Sequence, residues 1–130
     1  MSSIFSKIAS GEIPCYKVAE DKNYLAFLDI FPLVKGHVLV IPKKEIDYLF
    51  DLDEETYFGL MAFARKVALG MVKVIPCKRI GVAVLGLEVP HAHIHLVPLN
   101  SERDIDFSRP KLPFTPEEFA ATAKLIADAL

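Results

Sequence analysis

Three of the four histidines in this chain of 130 residues lie at alternate positions of one apolar stretch, as His91, His93 and His95. In a β-strand, successive side chains point to opposite faces, so residues two apart share a face. The spacing therefore predicts a row of three imidazoles on one face of a strand. The residues predicted to point the other way, into a core, are Ala92, Ile94 and Leu96. Because polar side chains are rarely stacked without partners, we interpret the row as a functional site.

A row of imidazoles supports three kinds of chemistry, and the residues alone leave all three open. Two histidines at this spacing can bind zinc with a third ligand from elsewhere, for which His37 is the candidate, but no carboxylate or cysteine is an evident further ligand. The second possibility is general acid–base catalysis on a bound phosphate or ester. The third is nucleophilic attack by the central imidazole, which needs one ring nitrogen protonated and the other free. Flanking imidazoles would then stabilise charge on the phosphate oxygens.

The composition narrows the class of protein. A formal net charge of −2 and a pI near 6.1 indicate no basic surface for nucleic acid. No apolar run approaches the roughly 18 residues that span a membrane, and no signal peptide is visible, so we predict a cytoplasmic protein with residues 1–130 as one domain. The hydrophobic content of 52% favours a homodimer. Cys15 and Cys77 are in no metal or redox spacing and are expected to be buried, reduced thiols.

Local patterns assign the elements that must position the histidines. We predict strands over 16–20, 24–29, 37–42, 79–85 and the histidine stretch. A short N-terminal helix is predicted after the cap Ser3, and a C-terminal helix after the cap Thr115. Glu118 completes a capping box at the start of the C-terminal helix. A short helical turn is expected within 43–50. The result is an α+β fold with an antiparallel sheet.

A long helix is predicted to begin after Asp51 or Asp53. Residues at helical spacing define its core face: Tyr57, Leu60, Met61, Ala64, Val67, Ala68, Met71 and Val72. Further apolar residues, Phe58, Ala62, Phe63 and Leu69, extend this face to a second side of the helix. Either a dimer contact or a thicker core accounts for that second side.

The stretch 91–97 resembles the His-x-His-x-His signature of the histidine triad (HIT) family. Segments 3–8, 11–14, 26–30 and 35–43 resemble other parts of that family, in the same order along the chain. The resemblance implies a HIT-like α+β fold, with a mainly five-stranded antiparallel sheet, one long helix, a short N-terminal helix and a C-terminal helix. It also implies a homodimer built around the long helix, and an enzyme that hydrolyses or transfers nucleotides at the α-phosphate.

The resemblance also implies roles for individual residues. His93 would attack phosphorus and form a covalent nucleotidyl-histidine, with its other ring nitrogen donating to a backbone carbonyl. His95 would contact phosphate oxygens, while His91 and His37 would support the cluster. Asp29 would bind the ribose hydroxyls. The residues implied to form an apolar purine pocket are Ile4, Phe5, Ile8, Phe27, Leu28 and Ile30, and the backbone near Gly86, Glu88 and Val89 would face the phosphate.

Two departures from the family pattern carry expectations of their own. Serines occupy positions 3 and 6, where many bacterial relatives have zinc-binding cysteines, so we predict no zinc there, and no cofactor is implied. Leu87 has no side-chain donor for phosphate, and an ionised Glu88 would repel it.

From the resemblance we predict a hydrolase or nucleotidyl transferase acting on a purine nucleoside 5′-phosphoramidate or a related conjugate. The alternatives are a dinucleoside polyphosphate hydrolase, a nucleotide-binding or interaction protein with weak catalysis, and a metal-binding protein.

Overall fold

Five strands form one antiparallel sheet in the computed structural model, which describes residues 2–130. The strands are β1 (Lys17–Glu20), β2 (Tyr24–Leu28), β3 (Val38–Pro42), β4 (Arg79–Ala83) and β5 (Ile94–Leu99). Their order across the sheet is β1-β2-β3-β5-β4, so β5 lies between β3 and the edge strand β4. This arrangement confirms the predicted α+β fold and places the histidine segment next to the strand that follows His37.

Helices cover both faces of the sheet. On one face, Val38 and Val40 pack with α2 (Glu54–Val74) and α3 (Pro116–Ala127) in the larger core cluster. On the other face, Leu39 and Ile41 pack with Phe5 of α1 (Ile4–Ala9) in a smaller cluster. Because side chains alternate along a strand, β2 and β3 each contribute to both clusters.

The helix starts agree with the predicted caps. The side chains of Ser3, Asp53 and Thr115 accept hydrogen bonds from backbone N–H groups in the first turns of α1, α2 and α3. The capping box with Glu118 is also present. These bonds satisfy donors that would otherwise lack partners at each helix start.

Several predicted boundaries and faces are wrong in detail. Strand β5 begins at Ile94, and the segment before it leaves the sheet because the Ala92 N–H donates to the Ile46 carbonyl (2.7 Å) rather than to a neighbouring strand. The predicted turn within 43–50 reduces to a 3₁₀ turn at Leu49–Asp51. Cys15 and Cys77 are free but only half-buried.

The two sides of α2 also differ from the prediction. Phe63 is buried in the core, whereas Met61 and Val72 are exposed together with Phe58 and Leu69. The exposed residues form an apolar outer face of α2. Among residues 2–130, no helix is both long enough and apolar enough to cross a membrane.

Candidate active site

The structure gathers all four histidines on the α1 side of the sheet. Ala92, Ile94 and Leu96 pack into the larger core cluster, as predicted, so His93 and His95 point to the opposite side. His95 lies opposite Leu39 in the register of β3 and β5, and His37 precedes that strand. The exposed fraction of every histidine is 7% or less, so each ring requires hydrogen-bond partners inside the protein.

A chain of hydrogen bonds assigns the protons of His37 and His95. The Leu33 N–H can only donate, and it lies 3.1 Å from His37 Nδ1, so Nδ1 is the acceptor and Nε2 carries the proton of the neutral ring. His37 Nε2 is 2.9 Å from His95 Nδ1, which must accept in turn. The proton of His95 is therefore on Nε2. The backbone at Leu33 thus determines the tautomer of a histidine 62 positions away in sequence.

The same reasoning assigns His93 and His91. His93 Nδ1 is 2.8 Å from the carbonyl oxygen of His91, which can only accept, so Nδ1 carries the proton and the Nε2 lone pair is free. His91 Nε2 donates to the carbonyl of Pro42 (2.8 Å), which leaves His91 Nδ1 to accept from the Ser3 hydroxyl (3.0 Å). The site therefore combines a free imidazole nitrogen on His93 with an N–H donor on His95.

Burial keeps the rings of His37, His93 and His95 neutral near pH 7. Burial lowers the pKa of His37 to about 4. It also lowers the pKa of His95 to about 3, and the neighbouring His37 and His93 act in the same direction. Burial lowers the pKa of His93 as well, although its hydrogen bond to the His91 carbonyl partly opposes the shift. A neutral His93 is the form that can act as a nucleophile.

Asp29 lies beside this chain of imidazoles. One carboxylate oxygen accepts from the Phe31 N–H (2.8 Å), and the other is 3.6 Å from His37 Nε2. Burial raises the pKa of this carboxyl group. The sequence offered no evident carboxylate near the histidines, so Asp29 corrects that interpretation.

Candidate ligand atoms of Asp29, His37 and His95 lie within 4.8 Å of one another, which raises the question of a metal ion. A metal on His37 Nε2 needs the lone pair there, so the proton would move to Nδ1 and face the Leu33 N–H. Two donors would then oppose each other in a buried place, which is unfavourable. The donor set fits a hydrogen-bonded chain better than a metal site.

The residues predicted to form a purine pocket lie in different surroundings. Phe5 and Phe27 are buried in one cluster, with Ile8 and Val89 packed against it. Ile4 and Ile30 are about half exposed. Leu28 does not join them, because it alternates with Phe27 and its side chain packs in the larger core on the other face of the sheet.

The loop before the histidines presents its side chains to solvent. Gly86 has a φ of +71°, a conformation that favours glycine, and Leu87 and Glu88 beyond it are exposed. Leu87 is 90% exposed. The Val89 carbonyl accepts from the His91 N–H (2.8 Å), so the end of this loop is fixed to the site.

Ser3 and Ser6, the serines at which we predicted no zinc, have hydrogen-bond partners of their own. The Ser6 hydroxyl, like that of Ser3, approaches His91 Nδ1 (3.3 Å). It also donates a hydrogen bond to a Glu45 carboxylate oxygen (2.7 Å). The Ser3 N–H donates to the same oxygen. These bonds connect the start of α1 to the ring of His91. No pattern in the sequence indicated Glu45 as a site residue, because its partners Ser3 and Ser6 are about 40 residues away.

A second residue that the sequence did not reveal is Phe107. Its ring lies against His95 at a centroid distance of 4.7 Å, with an interplanar angle of 72°. It belongs to a polar segment after β5 that lacks regular periodicity, so no pattern indicated a site residue there.

The chain is similar to known proteins along most of its length. The family model of the HIT domain matches residues 10–102. The adenosine 5′-monophosphoramidase hnt1 of Schizosaccharomyces pombe is 37% identical over 133 aligned residues, which cover 100% of this chain and 99% of that protein. A Hit-like protein of Bartonella henselae involved in cell-cycle regulation, solved with an unknown ligand, has a TM-score of 0.86 and 33% identity, covering 99% of this chain and 96% of that one. A Zn-bound histidine triad family protein of Mycobacterium smegmatis has a TM-score of 0.84 and 30% identity, covering 99% and 93%.

Proposed function

Because the chain belongs to the HIT domain family, we propose that it hydrolyses a purine nucleoside 5′-phosphoramidate, or a related nucleotide conjugate, at the α-phosphate. The observation that carries the proposal is the bond from His93 Nδ1 to the His91 carbonyl, which leaves Nε2 as a free nucleophile in a buried row of imidazoles. The phosphoramidase activity named for the Schizosaccharomyces pombe relative supports this choice of substrate.

In the proposed reaction, His93 Nε2 attacks phosphorus and the phosphorus–nitrogen bond breaks. The amine leaves with a proton from water, and a covalent nucleotidyl-histidine remains. The hydroxide that this water leaves behind then attacks phosphorus and breaks the phosphorus–Nε2 bond, which releases the nucleoside monophosphate and restores the neutral ring of His93. The His91 carbonyl stabilises the intermediate because it holds the Nδ1 proton while Nε2 is bonded to phosphorus.

His95 would stabilise the charge on phosphate during both steps. Its Nε2–H is available as a donor because Nδ1 already accepts from His37. An N–H held in place before the reaction stabilises developing charge without reorganisation. Asp29 would accept from the ribose hydroxyls, and the cluster around Phe5 and Phe27 would bind the base.

The direct test is hydrolysis of an adenosine phosphoramidate by the wild type and by His93→Ala. We expect a loss of at least about a thousandfold in kcat/KM, because removal of a nucleophile eliminates the covalent route. Phe50→Ala is a matched control, since Phe50 is exposed and its ring contacts Tyr48 and Tyr57. Turnover by His93→Ala at the wild-type rate would contradict the role of His93. Faster hydrolysis of a dinucleoside polyphosphate than of the phosphoramidate would favour the alternative substrate class.

The proposed proton chain has a test of its own. In His37→Gln the side-chain amide can still donate to His95 Nδ1, whereas in His37→Asn the shorter side chain retains only an acceptor near the Leu33 N–H. We therefore expect His37→Gln to keep more of the wild-type kcat than His37→Asn. The opposite order would contradict the proposed tautomer of His95.

A second candidate function is nucleotide binding with little catalysis. The exposed Leu87 and Glu88 favour it, because neither side chain supplies a donor to phosphate and an ionised Glu88 repels it. Calorimetry would then show AMP binding by a wild type that hydrolyses none of the phosphoramidate or polyphosphate substrates. Replacement of Glu88 by Gln separates the two candidates, since an enzyme limited by this charge would gain activity.

We also propose that the chain forms a homodimer. The outer face of α2 exposes Phe58 (62%) and Leu69 (50%), and the edge strand β4 exposes Val82 (55%). Large apolar side chains exposed on a helix face and on a sheet edge are typical of an interface. Sedimentation should give twice the chain mass for the wild type and a shift toward the monomer for Phe58→Asp.

A further inference from the structure

Phe107 completes a row of four rings through the site. Phe5 contacts His93 at a centroid distance of 5.0 Å, His93 contacts His95 at 5.0 Å, and His95 contacts Phe107 at 4.7 Å. All three contacts are edge-to-face, with interplanar angles of 80°, 68° and 72°. The pair of imidazoles is thus held between one phenyl ring from α1 and another from the segment after β5.

His95 is held differently from the other histidines. His37, His91 and His93 each have a hydrogen bond to a backbone group, at Leu33, Pro42 and His91 respectively. Within residues 2–130, the only hydrogen bond recorded for the His95 ring is the one to the side chain of His37. That bond fixes the direction of Nδ1, and the tilt of the His95 ring is left to packing against the rings of His37, His93 and Phe107.

The segment that carries Phe107 is fixed in place despite its polar sequence. The Leu112 N–H donates to the Pro32 carbonyl (2.9 Å), which joins the segment to the loop that carries Asp29. The Lys111 ammonium donates to the carbonyls of Phe107 (2.6 Å) and Arg109 (3.1 Å) and lies 6.0 Å from the centre of the Phe107 ring. These bonds hold the backbone at Phe107 and in the residues that follow it.

We propose that Phe107 is a positioning residue that acts through His95, fixing the rotation of that ring so that its Nε2–H points toward the phosphate. This inference rests on the proposed function for its kinetic part. The phenyl ring also packs 6.2 Å from His37, so it shields the hydrogen bond between the two imidazoles from water. Shielding agrees with the low pKa of His95, which burial lowers most and which His37 and His93 lower further. The charged groups that act on the neighbouring His37 are Asp29, 3.6 Å from its Nε2, and Lys111.

The test compares Phe107→Ala and Phe107→Leu with the wild type, and Phe50→Ala serves as the control for loss of a phenyl ring elsewhere. Phe107→Leu retains an apolar side chain of similar bulk, so its fold is expected to survive, but it lacks the flat ring that orients His95. With adenosine phosphoramidate, we expect kcat to fall about tenfold to a hundredfold in both variants, while KM stays within about threefold. Phe50→Ala should match the wild type in both constants.

Nitrogen-15 NMR of the histidine rings gives a readout that is independent of activity. In the wild type, His95 should be the Nε2–H tautomer throughout the range from pH 8 to pH 6. In Phe107→Ala we expect a mixture of tautomers and a titration of His95 closer to the ordinary histidine value. If Phe107 contributed only to packing, Phe107→Ala would lower the free energy of unfolding without changing the tautomer of His95.

Two results would overturn the inference: a His95 tautomer and titration in Phe107→Ala equal to those of the wild type, or a kcat in both variants equal to that of the wild type. If the wild type hydrolyses no substrate, the proposed function fails, yet the NMR comparison still decides whether Phe107 orients His95.

Discussion

Acidification should destabilise this protein through its buried histidines. Histidine has an ordinary pKa near 6.5 in an unfolded chain. In the folded protein, burial lowers the pKa of His37 to about 4 and that of His95 to about 3. Below pH 6.5 the unfolded chain therefore binds protons that the folded protein does not. Their contribution is fully present above pH 6.5 and is lost as the pH falls from there toward about 4.

The magnitude follows from the width of that interval. One pH unit corresponds to about 1.4 kcal/mol for each proton taken up only by the unfolded chain. Between pH 7 and pH 5, each of the two rings lowers the free energy of unfolding by about 2 kcal/mol, or about 4 kcal/mol together. This is a large part of the 5–15 kcal/mol typical of a folded domain. Asp29 acts in the opposite direction, because burial raises its pKa and lets the folded protein bind a proton that the unfolded chain has released.

Urea unfolding followed by circular dichroism at pH 7, 6 and 5, at one protein concentration, measures this loss. Circular dichroism is suitable because the chain has no tryptophan. His37→Gln removes one of the two titrating rings, so its loss between pH 7 and pH 5 should be smaller by about 2 kcal/mol. Phe50→Ala changes no titrating group, so it should change the free energy of unfolding by the same amount at pH 7, 6 and 5.

A pH dependence of His37→Gln equal to that of the wild type would refute the reasoning. It would mean that His37 is protonated in the folded protein at pH 5. The Leu33 N–H could then not be donating to Nδ1, and the assignment of protons along the imidazole chain would fail with it.

Three further predictions concern stability at pH 7, measured by urea unfolding. Gly59→Ala should cost about 1–3 kcal/mol, because a Cβ there would lie 1.9 Å from the Tyr24 hydroxyl oxygen and displace that ring; an unchanged midpoint would contradict the packing. Thr115→Ala removes the cap of α3 and should cost about 1 kcal/mol, whereas Thr115→Ser should be nearly neutral. Ser3→Ala removes both the cap of α1 and a partner of buried His91, and should cost about 1–2 kcal/mol; a cost as small as that of a surface substitution would show that Ser6 replaces it fully.

Much of the architecture could be predicted from short-range patterns. Alternation of apolar residues, helical spacing, and the caps Ser3 and Thr115 depend on neighbours within a few positions, and each was predicted from those neighbours. The shared face of His93 and His95 follows from the same local geometry. The errors lie where a local rule meets long-range contacts: Leu28 has the apolar character of a pocket residue, but the face it occupies is decided by its register with β3.

The histidine spacing by itself determined that His91, His93 and His95 form a row, and the tertiary structure decided which other residues join them and what each ring can do. An imidazole can donate or accept at either nitrogen, so its role depends on the group opposite it. For His91 that group is the carbonyl of Pro42, which lies 49 positions away, and for His95 it is His37, which lies 58 positions away. Phe107 illustrates the same limit, since nothing in the sequence around it indicates that folding brings its ring against His95. Tautomers and ring orientations arise from contacts between distant segments, and these contacts exist only in the folded protein.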